Sequence, residues 1–136
     1  MSQTNENIDG KTILVVDDNR DAATTLGMLL KLKGYTPHTR FGGREALDSI
    51  GAVQPNLVIL DLAMPDLDGY ETAVLIREKH GTSLPLIALS GYGQDEDKRK
   101  AIEAGFDAHL VKPVNLVALI DLVNSLLADY AKNKSL

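Results

Sequence analysis

Three short apolar runs, each ending in polar residues, dominate the pattern of hydrophobic and polar positions along this chain. They are residues 13–16 before Asp17 and Asp18, residues 57–60 before Asp61, and residues 86–89 before Ser90. A continuous apolar run of four residues beside turn residues is typical of a strand covered on both faces. We therefore predict three buried strands whose ends carry polar side chains.

Segments with helical spacing separate these strands. The predicted strands cover residues 11–17, 35–40, 56–61, 85–89 and 108–111. The first predicted helix is capped by Asn19 or Asp21 and ends at about residue 33. The other predicted helices cover residues 43–50, 69–79, 95–104 and 116–130. Gly34, Gly51 and Gly105 are predicted helix ends, and Asp68 with Glu71 has the spacing of a capping pair.

Strand and helix alternate five times with short connections, which predicts an α/β fold. We expect a single five-stranded parallel sheet with helices on both faces. The domain is predicted over residues 11–130, with a disordered polar tail at residues 1–10 and a polar C-terminal tail at residues 131–136. Ligands of such sheets bind beyond the carboxyl ends of the strands, which is where the polar residues lie.

Composition narrows the class of protein. The chain has 136 residues, of which 44% are hydrophobic and 24% charged, as in an ordinary globular domain. Its net charge of −5 argues against direct contact with nucleic acid. It has no cysteine and no apolar run near the ~20 residues of a membrane helix, so we predict a cytoplasmic protein without a membrane contact.

The carboxylates at the strand ends favour a bound cation. Two like charges ~4 Å apart repel by about 4 kcal/mol at an effective dielectric near 20, so Asp17, Asp18 and Asp61 together require neutralisation. Lys112 after the fifth strand supplies one positive charge, and a divalent cation would supply the rest. Oxygen ligands without Cys or His favour Mg²⁺.

A carboxylate beside Mg²⁺ and a lysine can act as a nucleophile towards phosphorus. Asp61 is the best candidate because it stands alone at the end of the middle strand, whereas Asp17 and Asp18 form an adjacent pair suited to holding the metal. Lys112 could neutralise phosphoryl oxygens, and the hydroxyl of Ser90 could donate to one of them.

These residues carry a resemblance to a known family. Residues 15–19, 60–69, 88–92 and 110–113 place the acidic pair, the isolated Asp61, the hydroxyl of Ser90 and the Lys112–Pro113 dipeptide after successive predicted strands. In that order the chain resembles the receiver domains of two-component response regulators, including the chemotaxis regulator and the receivers of hybrid histidine kinases. The resemblance covers roughly residues 11–130 and implies the flavodoxin-like strand order 2-1-3-4-5, an order known for that family.

The resemblance also implies roles for individual residues. Asp61 would accept a phosphoryl group from a phosphohistidine of a sensor kinase or phosphotransfer protein. Asp17, Asp18 and Asp61 would bind Mg²⁺ together with the backbone carbonyl of Ala63, and Ser90 and Lys112 would contact the phosphoryl group.

Three positions depart from the family pattern or modify it. The switch position coupled to Ser90 holds His109 in place of the usual Tyr or Phe, which puts an aromatic switch in question. Ala63 and Tyr92 occupy positions that tune hydrolysis in the family, and neither side chain readily positions a water, so we expect slow self-dephosphorylation.

The sequence therefore predicts a phosphorylation-dependent signalling switch rather than an enzyme. It would act by protein contact on a target that the sequence does not identify, as a monomer or weak dimer. The alternative is a Mg²⁺-dependent phosphohydrolase with an Asp nucleophile, although such enzymes usually place a second Asp where this chain has Ala63. A flavin or nucleotide binder is disfavoured because an acidic pair follows the first strand, where an anion-binding loop is expected.

Overall fold

The described part of the chain, residues 10–91 and 95–135 of a computed structural model, forms alternating strands and helices. The strands are β1 (Thr12–Val16), β2 (Thr36–Arg40), β3 (Leu57–Asp61), β4 (Leu86–Ser90) and β5 (Ala108–Val111). The helices are α1 (Arg20–Leu32), α2 (Gly43–Val53), α3 (Gly69–His80), α4 (Asp95–Ala104) and α5 (Leu116–Ser135).

The strands form one parallel sheet in the order β2-β1-β3-β4-β5, as predicted. β1 lies between β2 and β3, with Val16 opposite Leu60, and β4 lies between β3 and β5. All five residues of β3 and of β4 are buried, whereas β2 and β5 are partly exposed at the two edges. This is the flavodoxin-like arrangement.

Helices cover both faces of the sheet, and the alternation of side chains along each strand divides the core in two. One face, with Leu14 and Leu60 among its residues, packs against α2, α3 and α4. The other face, with Val15 and Ile59, packs against α1 and α5. Because successive strand residues point to opposite faces, a strand buried on both sides must be apolar throughout, as the sequence pattern indicated.

A polar network holds together the N-terminal ends of β4 and β5, away from the strand C-termini. The guanidinium of Arg77 donates to the carbonyls of Leu84 (2.6 Å) and Gly105 (2.9 Å) and to the carboxylate of Asp107 (3.1 Å). Asp107 also accepts from the Leu86 amide at 2.8 Å and from the Tyr130 hydroxyl at 2.9 Å. The network joins α3, β4, β5 and α5.

Local sequence signals account for the helix ends that position the site. The Asn19 side chain caps α1 by accepting from the Ala22 amide at 3.1 Å. Asp68 and Glu71 form the predicted capping box at the start of α3. Asn115 accepts from the Ala118 amide at 3.0 Å at the start of α5.

Some predicted boundaries and faces are wrong. Helix α2 does not end at Gly51 but continues to Val53, where Gln54 takes a left-handed conformation (φ 52°) before Pro55. Helix α5 continues past Tyr130 to Ser135, so residues 131–135 of the predicted polar tail extend this helix. Helical spacing predicts Ala22 on the buried face of α1, but Ala22 is exposed and Ala23 is buried instead.

Two further observations concern the predicted N-terminal tail and the possibility of a membrane-spanning helix. The predicted N-terminal tail lies almost wholly outside the described residues. Within the described ranges, no helix combines the length and the apolar character that crossing a bilayer requires.

Candidate functional site

The site lies at the C-terminal edge of the sheet, where β1 and β3 deliver their carboxylates side by side. Val16 is the register partner of Leu60, so Asp17 and Asp61, the next residues, are neighbours. Both are buried, at 4% and 3% exposure, whereas Asp18 is exposed. The Asn19 amide donates to Asp17 Oδ1 at 3.0 Å, which fixes the orientation of that carboxylate.

Asp17, Asp18 and Asp61 form a cluster that could hold a metal ion. One carboxylate oxygen of each lies within 4.8 Å of the other two. Three carboxylates without sulfur or imidazole ligands form a hard, anionic donor set, which fits Mg²⁺. Three protein ligands leave other positions of an octahedral ion for waters or a phosphoryl oxygen.

Lys112 contacts both buried carboxylates. Its Nζ lies 3.2 Å from Asp17 Oδ2 and 3.3 Å from Asp61 Oδ1. Burial alone lowers the pKa of Lys112, but the charges of Asp61 and Asp17 outweigh burial and raise it. Lys112 is therefore cationic at neutral pH and partly neutralises the two carboxylates.

The pKa of Asp61 is raised to about 6, mainly by burial and then by the neighbouring charge of Asp17. Lys112 acts in the opposite direction without cancelling these effects. A second positive charge near Asp61 would restore its pKa to a lower value, so the electrostatics also favour a cation.

The loop after Asp61 is held close to the site by Gly69. The Gly69 amide donates to the Leu62 carbonyl at 2.9 Å, and a Cβ at this position would lie 2.6 Å from Leu62 Cα and against the Asp61 carbonyl. Only glycine permits this approach. Ala63, at the start of the loop, is exposed, and its amide lies 3.4 Å from Asp61 Oδ1.

Ser90, the last residue of β4, is 6% exposed and lies at the same edge. Its Oγ is 2.9 Å from Nε2 of His109 on β5. Burial and then the charge of Lys98 lower the pKa of His109, while Asp97 acts to raise it. His109 is therefore neutral at neutral pH.

These side chains surround one cavity of about 640 Å³. The residues that line it are Asp17, Asp18, Asn19, Asp61, Leu62, Ala63, Tyr70, Ser90, Gly91, Asp97 and Lys112. The structure thus brings together the predicted acidic pair, the isolated aspartate, Ala63, the hydroxyl and the lysine. His109 contacts the site through Ser90, and Tyr92 lies outside the described residues.

Tyr70 and Asp97 line the cavity but lie outside the motifs identified in the sequence. Tyr70 follows Gly69 in the first turn of α3, and its pKa is raised by burial and by the charges of Asp97, Asp68 and Glu96. Asp97 lies in the first turn of α4. The signal available for both was their position in the first turn after a strand-end loop, where a helix N-terminus faces the ligand edge of such a sheet.

The geometry defines a class of protein. Its members have an open parallel sheet with an acidic cation site and a lysine at the C-terminal ends of the strands. Comparison with known families gives the family itself. Residues 13–124 match the model of the response regulator receiver domain, which is most of the chain. The chain belongs to this family of two-component signalling domains.

Individual relatives agree with that assignment. The chain is 37% identical over 115 residues to response regulator MprA of Mycolicibacterium vanbaalenii, covering 85% of this chain and 49% of that protein. It therefore spans about half the length of that relative.

Solved structures agree with the fold. A CheY-like receiver domain protein from Methanospirillum hungatei superposes with a TM-score of 0.85 at 27% identity, over 92% of this chain and 99% of that one. Response regulator TrrA of Thermotoga maritima, solved in complex with Mg²⁺-BeF, superposes with a TM-score of 0.77 at 34% identity, over 85% and 98% of the two chains.

Proposed function

We propose that Asp61 accepts a phosphoryl group from a phosphohistidine of a sensor kinase or phosphotransfer protein, in a Mg²⁺-dependent reaction. The observation that carries this proposal is the position of the Asp61 carboxylate. It lies at the end of the central strand, 3.3 Å from Lys112 and within 4.8 Å of two further carboxylates. The chain then signals through protein contacts.

Asp61 is suited to act as the nucleophile. With a pKa of about 6, its carboxylate is mainly ionised at neutral pH, and it lines the open cavity. Asp17 is held by the Asn19 amide and by Lys112, so it is better placed as a fixed ligand than as an attacking group.

Asp17, Asp18 and Asp61 would hold Mg²⁺, with the backbone carbonyl of Ala63 as a further ligand. Mg²⁺ would supply neutralisation of the phosphoryl oxygens, as in other phosphoryl transfers. Lys112 would bind a phosphoryl oxygen by its positive charge, and Ser90 would donate a hydrogen bond to another. The similarity to TrrA, which was solved with Mg²⁺-BeF bound, supports this assignment.

The transfer itself requires little more than positioning. An oxygen of Asp61 forms a bond to phosphorus while the bond from phosphorus to the histidine nitrogen breaks. The electron pair of the broken bond returns to the imidazole, which takes up a proton. The product is an aspartyl phosphate on Asp61 and a neutral histidine on the donor.

The phosphoryl group carries a charge of about −1.5 to −2 in place of the single charge of the Asp61 carboxylate, and this change must alter a neighbouring surface to produce a signal. The segment from Ser90 through α4 is the proposed responding element, since Asp97 of α4 lines the cavity and most of α4 is exposed. We infer a cytoplasmic protein, monomeric or weakly dimeric, that contacts a downstream protein and neither nucleic acid nor membrane directly.

Intact mass spectrometry tests the acceptor. After incubation with acetyl phosphate and Mg²⁺, we expect one phosphoryl adduct on the wild type, no adduct on Asp61→Asn, and a normal adduct on Asp66→Asn. Asp66 is the matched control because it is exposed in the same loop, where it pairs with Arg44 at 2.9 Å. An adduct that persists in Asp61→Asn would refute the assignment.

The same incubation separates the switch from a phosphohydrolase. A hydrolase would release phosphate continuously without a stable adduct. Ala63 offers a methyl group where such enzymes usually place a second Asp. We therefore expect at most one phosphate per chain in a single loading, and repeated turnover would favour the enzyme.

Slow self-dephosphorylation is a second expectation. The exposed Ala63 side chain has no group that could hold an attacking water beside Asp61. The adduct should therefore persist for minutes or longer after acetyl phosphate is removed. A lifetime of seconds, followed by mass spectrometry at timed intervals, would contradict this reasoning.

A further inference from the structure

Ser90 and His109 form a contact whose hydrogen-bond direction follows from the state of the imidazole ring. Ser90 is the register partner of Val111, and His109 is opposite Ala88, so the two side chains share one face of the sheet. Ser90 Oγ and His109 Nε2 lie 2.9 Å apart, within normal hydrogen-bond range. Either atom could donate, depending on the tautomer of the imidazole.

The other ring nitrogen decides between the tautomers. Nδ1 of His109 is buried and has no hydrogen-bond partner among the residues that the structure describes. Buried N–H groups without a partner are rarer in proteins than buried acceptors without one. A neutral imidazole therefore carries its proton on Nε2, where it has a partner, and leaves a lone pair at Nδ1.

In this tautomer, Nε2–H donates and Ser90 Oγ accepts. The hydroxyl proton of Ser90 then points away from His109. Ser90 lines the cavity that also contains Asp61 and Lys112, so a group bound at Asp61 lies within the region that this proton can face. Hydrogen bonds arranged in a chain polarise and strengthen one another.

We propose that His109 is a positioning residue that fixes the Ser90 hydroxyl as a hydrogen-bond donor towards the phosphoryl group on Asp61. The proposal rests on the proposed phosphoacceptor function. It adds a role for His109, which stands where the family usually has Tyr or Phe. His109 does not touch the phosphoryl group. It acts by donating its Nε2–H to Ser90 Oγ, so that the Ser90 hydroxyl proton is directed away from His109.

Binding of beryllofluoride with Mg²⁺, a phosphoryl mimic, tests this role at equilibrium. His109→Leu removes the donor, and we expect the affinity for beryllofluoride to fall by about three- to tenfold, the effect of losing one hydrogen bond. His109→Gln retains an N–H at a similar reach and should recover most of the affinity. Affinity for Mg²⁺ alone should stay unchanged in both variants.

Two controls make the result specific. His38→Leu replaces a half-buried histidine on the opposite edge strand and should leave beryllofluoride affinity unchanged. In a Ser90→Ala background, His109→Leu should have no further effect, because its partner is gone. ¹⁵N spectra of the imidazole should show the proton on Nε2 in the wild type.

The outcomes separate this inference from the proposed function. If the wild type binds beryllofluoride but His109→Leu binds equally well or more tightly, the positioning role is overturned and Asp61 remains the acceptor. A spectrum with the proton on Nδ1 would also overturn it. If the wild type neither binds beryllofluoride nor forms the adduct with acetyl phosphate, the proposed function itself fails.

Discussion

Replacing Asp61 by Asn should stabilise the fold in the absence of Mg²⁺. The wild-type carboxylate is buried beside Asp17, and Lys112 is shared between the two. Asn has nearly the same shape as the protonated aspartate but carries no charge at any pH. The substitution therefore removes the repulsion and the desolvation that raise the pKa of Asp61.

The size of the effect follows from the pKa. Asp61 titrates at about 6 in the folded chain, against about 3.9 in an unfolded one, and a difference of ~2 corresponds to ~3 kcal/mol. Water in the open cavity screens these interactions, which reduces our expectation to about 1–2 kcal/mol.

The size of this advantage depends on pH. The folded chain binds the proton of Asp61 more tightly than the unfolded chain, so this group favours folding most at low pH, and the contribution is lost between pH ~4 and ~6. Asp61→Asn does not undergo this loss. The variant should therefore match the wild type near pH 4 and exceed it by the full amount at pH 8.

Urea unfolding followed by circular dichroism, in EDTA at several pH values, measures this difference. Asp66→Asn should show no comparable pH dependence, because Asp66 is exposed and pairs with Arg44 at the surface. Adding Mg²⁺ should stabilise the wild type more than Asp61→Asn. The reasoning would be refuted if Asp61→Asn were less stable than the wild type at pH 8, or if its advantage were independent of pH.

Three further substitutions test contacts that stabilise the fold, by the same unfolding measurement. Gly69→Ala should cost at least ~2 kcal/mol, because the new Cβ would overlap the backbone at Asp61; a loss under ~0.5 kcal/mol would show that the loop relaxes freely. Arg77→Ala should cost about 1–2 kcal/mol by removing the hydrogen bonds to the Leu84 and Gly105 carbonyls and the ion pair with Asp107, whereas the exposed Arg99→Ala should be near neutral. Asp68→Ala should cost about 1 kcal/mol through loss of the capping box, and full stability would contradict the cap.

The sheet and the acidic edge were predictable because the chemistry follows the strands directly in the sequence. Residues 57–61 are all buried and end in the candidate nucleophile, so the same short pattern predicts both the strand and the site. The acidic pair after β1 obeys the same rule. The strand order, in contrast, came from the family resemblance, since periodicity does not determine which strands are neighbours.

Other features depend on tertiary contacts that the local pattern does not contain. Gly51 resembles a helix end in the sequence, but it lies in open space where glycine is tolerated, and the helix ends instead at Gln54 before Pro55. A proline disfavours helical backbone at the residue before it, so Pro55 was the better signal for the end of this helix. The contact between Ser90 and His109 depends on the register of β4 with β5, which no single segment encodes.

The network around Arg77 and Asp107 holds the sheet at the N-terminal ends of β4 and β5. It fastens the beginnings of β4 and β5 to α3 and α5 at the opposite end of these strands from Ser90. At a rise of ~3.3 Å per residue, Ser90 lies roughly 13 Å along β4 from Leu86. A tilt of only ~5° about that anchor would move Ser90 by about 1 Å while leaving the anchor in place. At the site end, Ser90 and Val111 are held by the strand pairing but not by this network, so the largest displacements of these strands on loading should occur there.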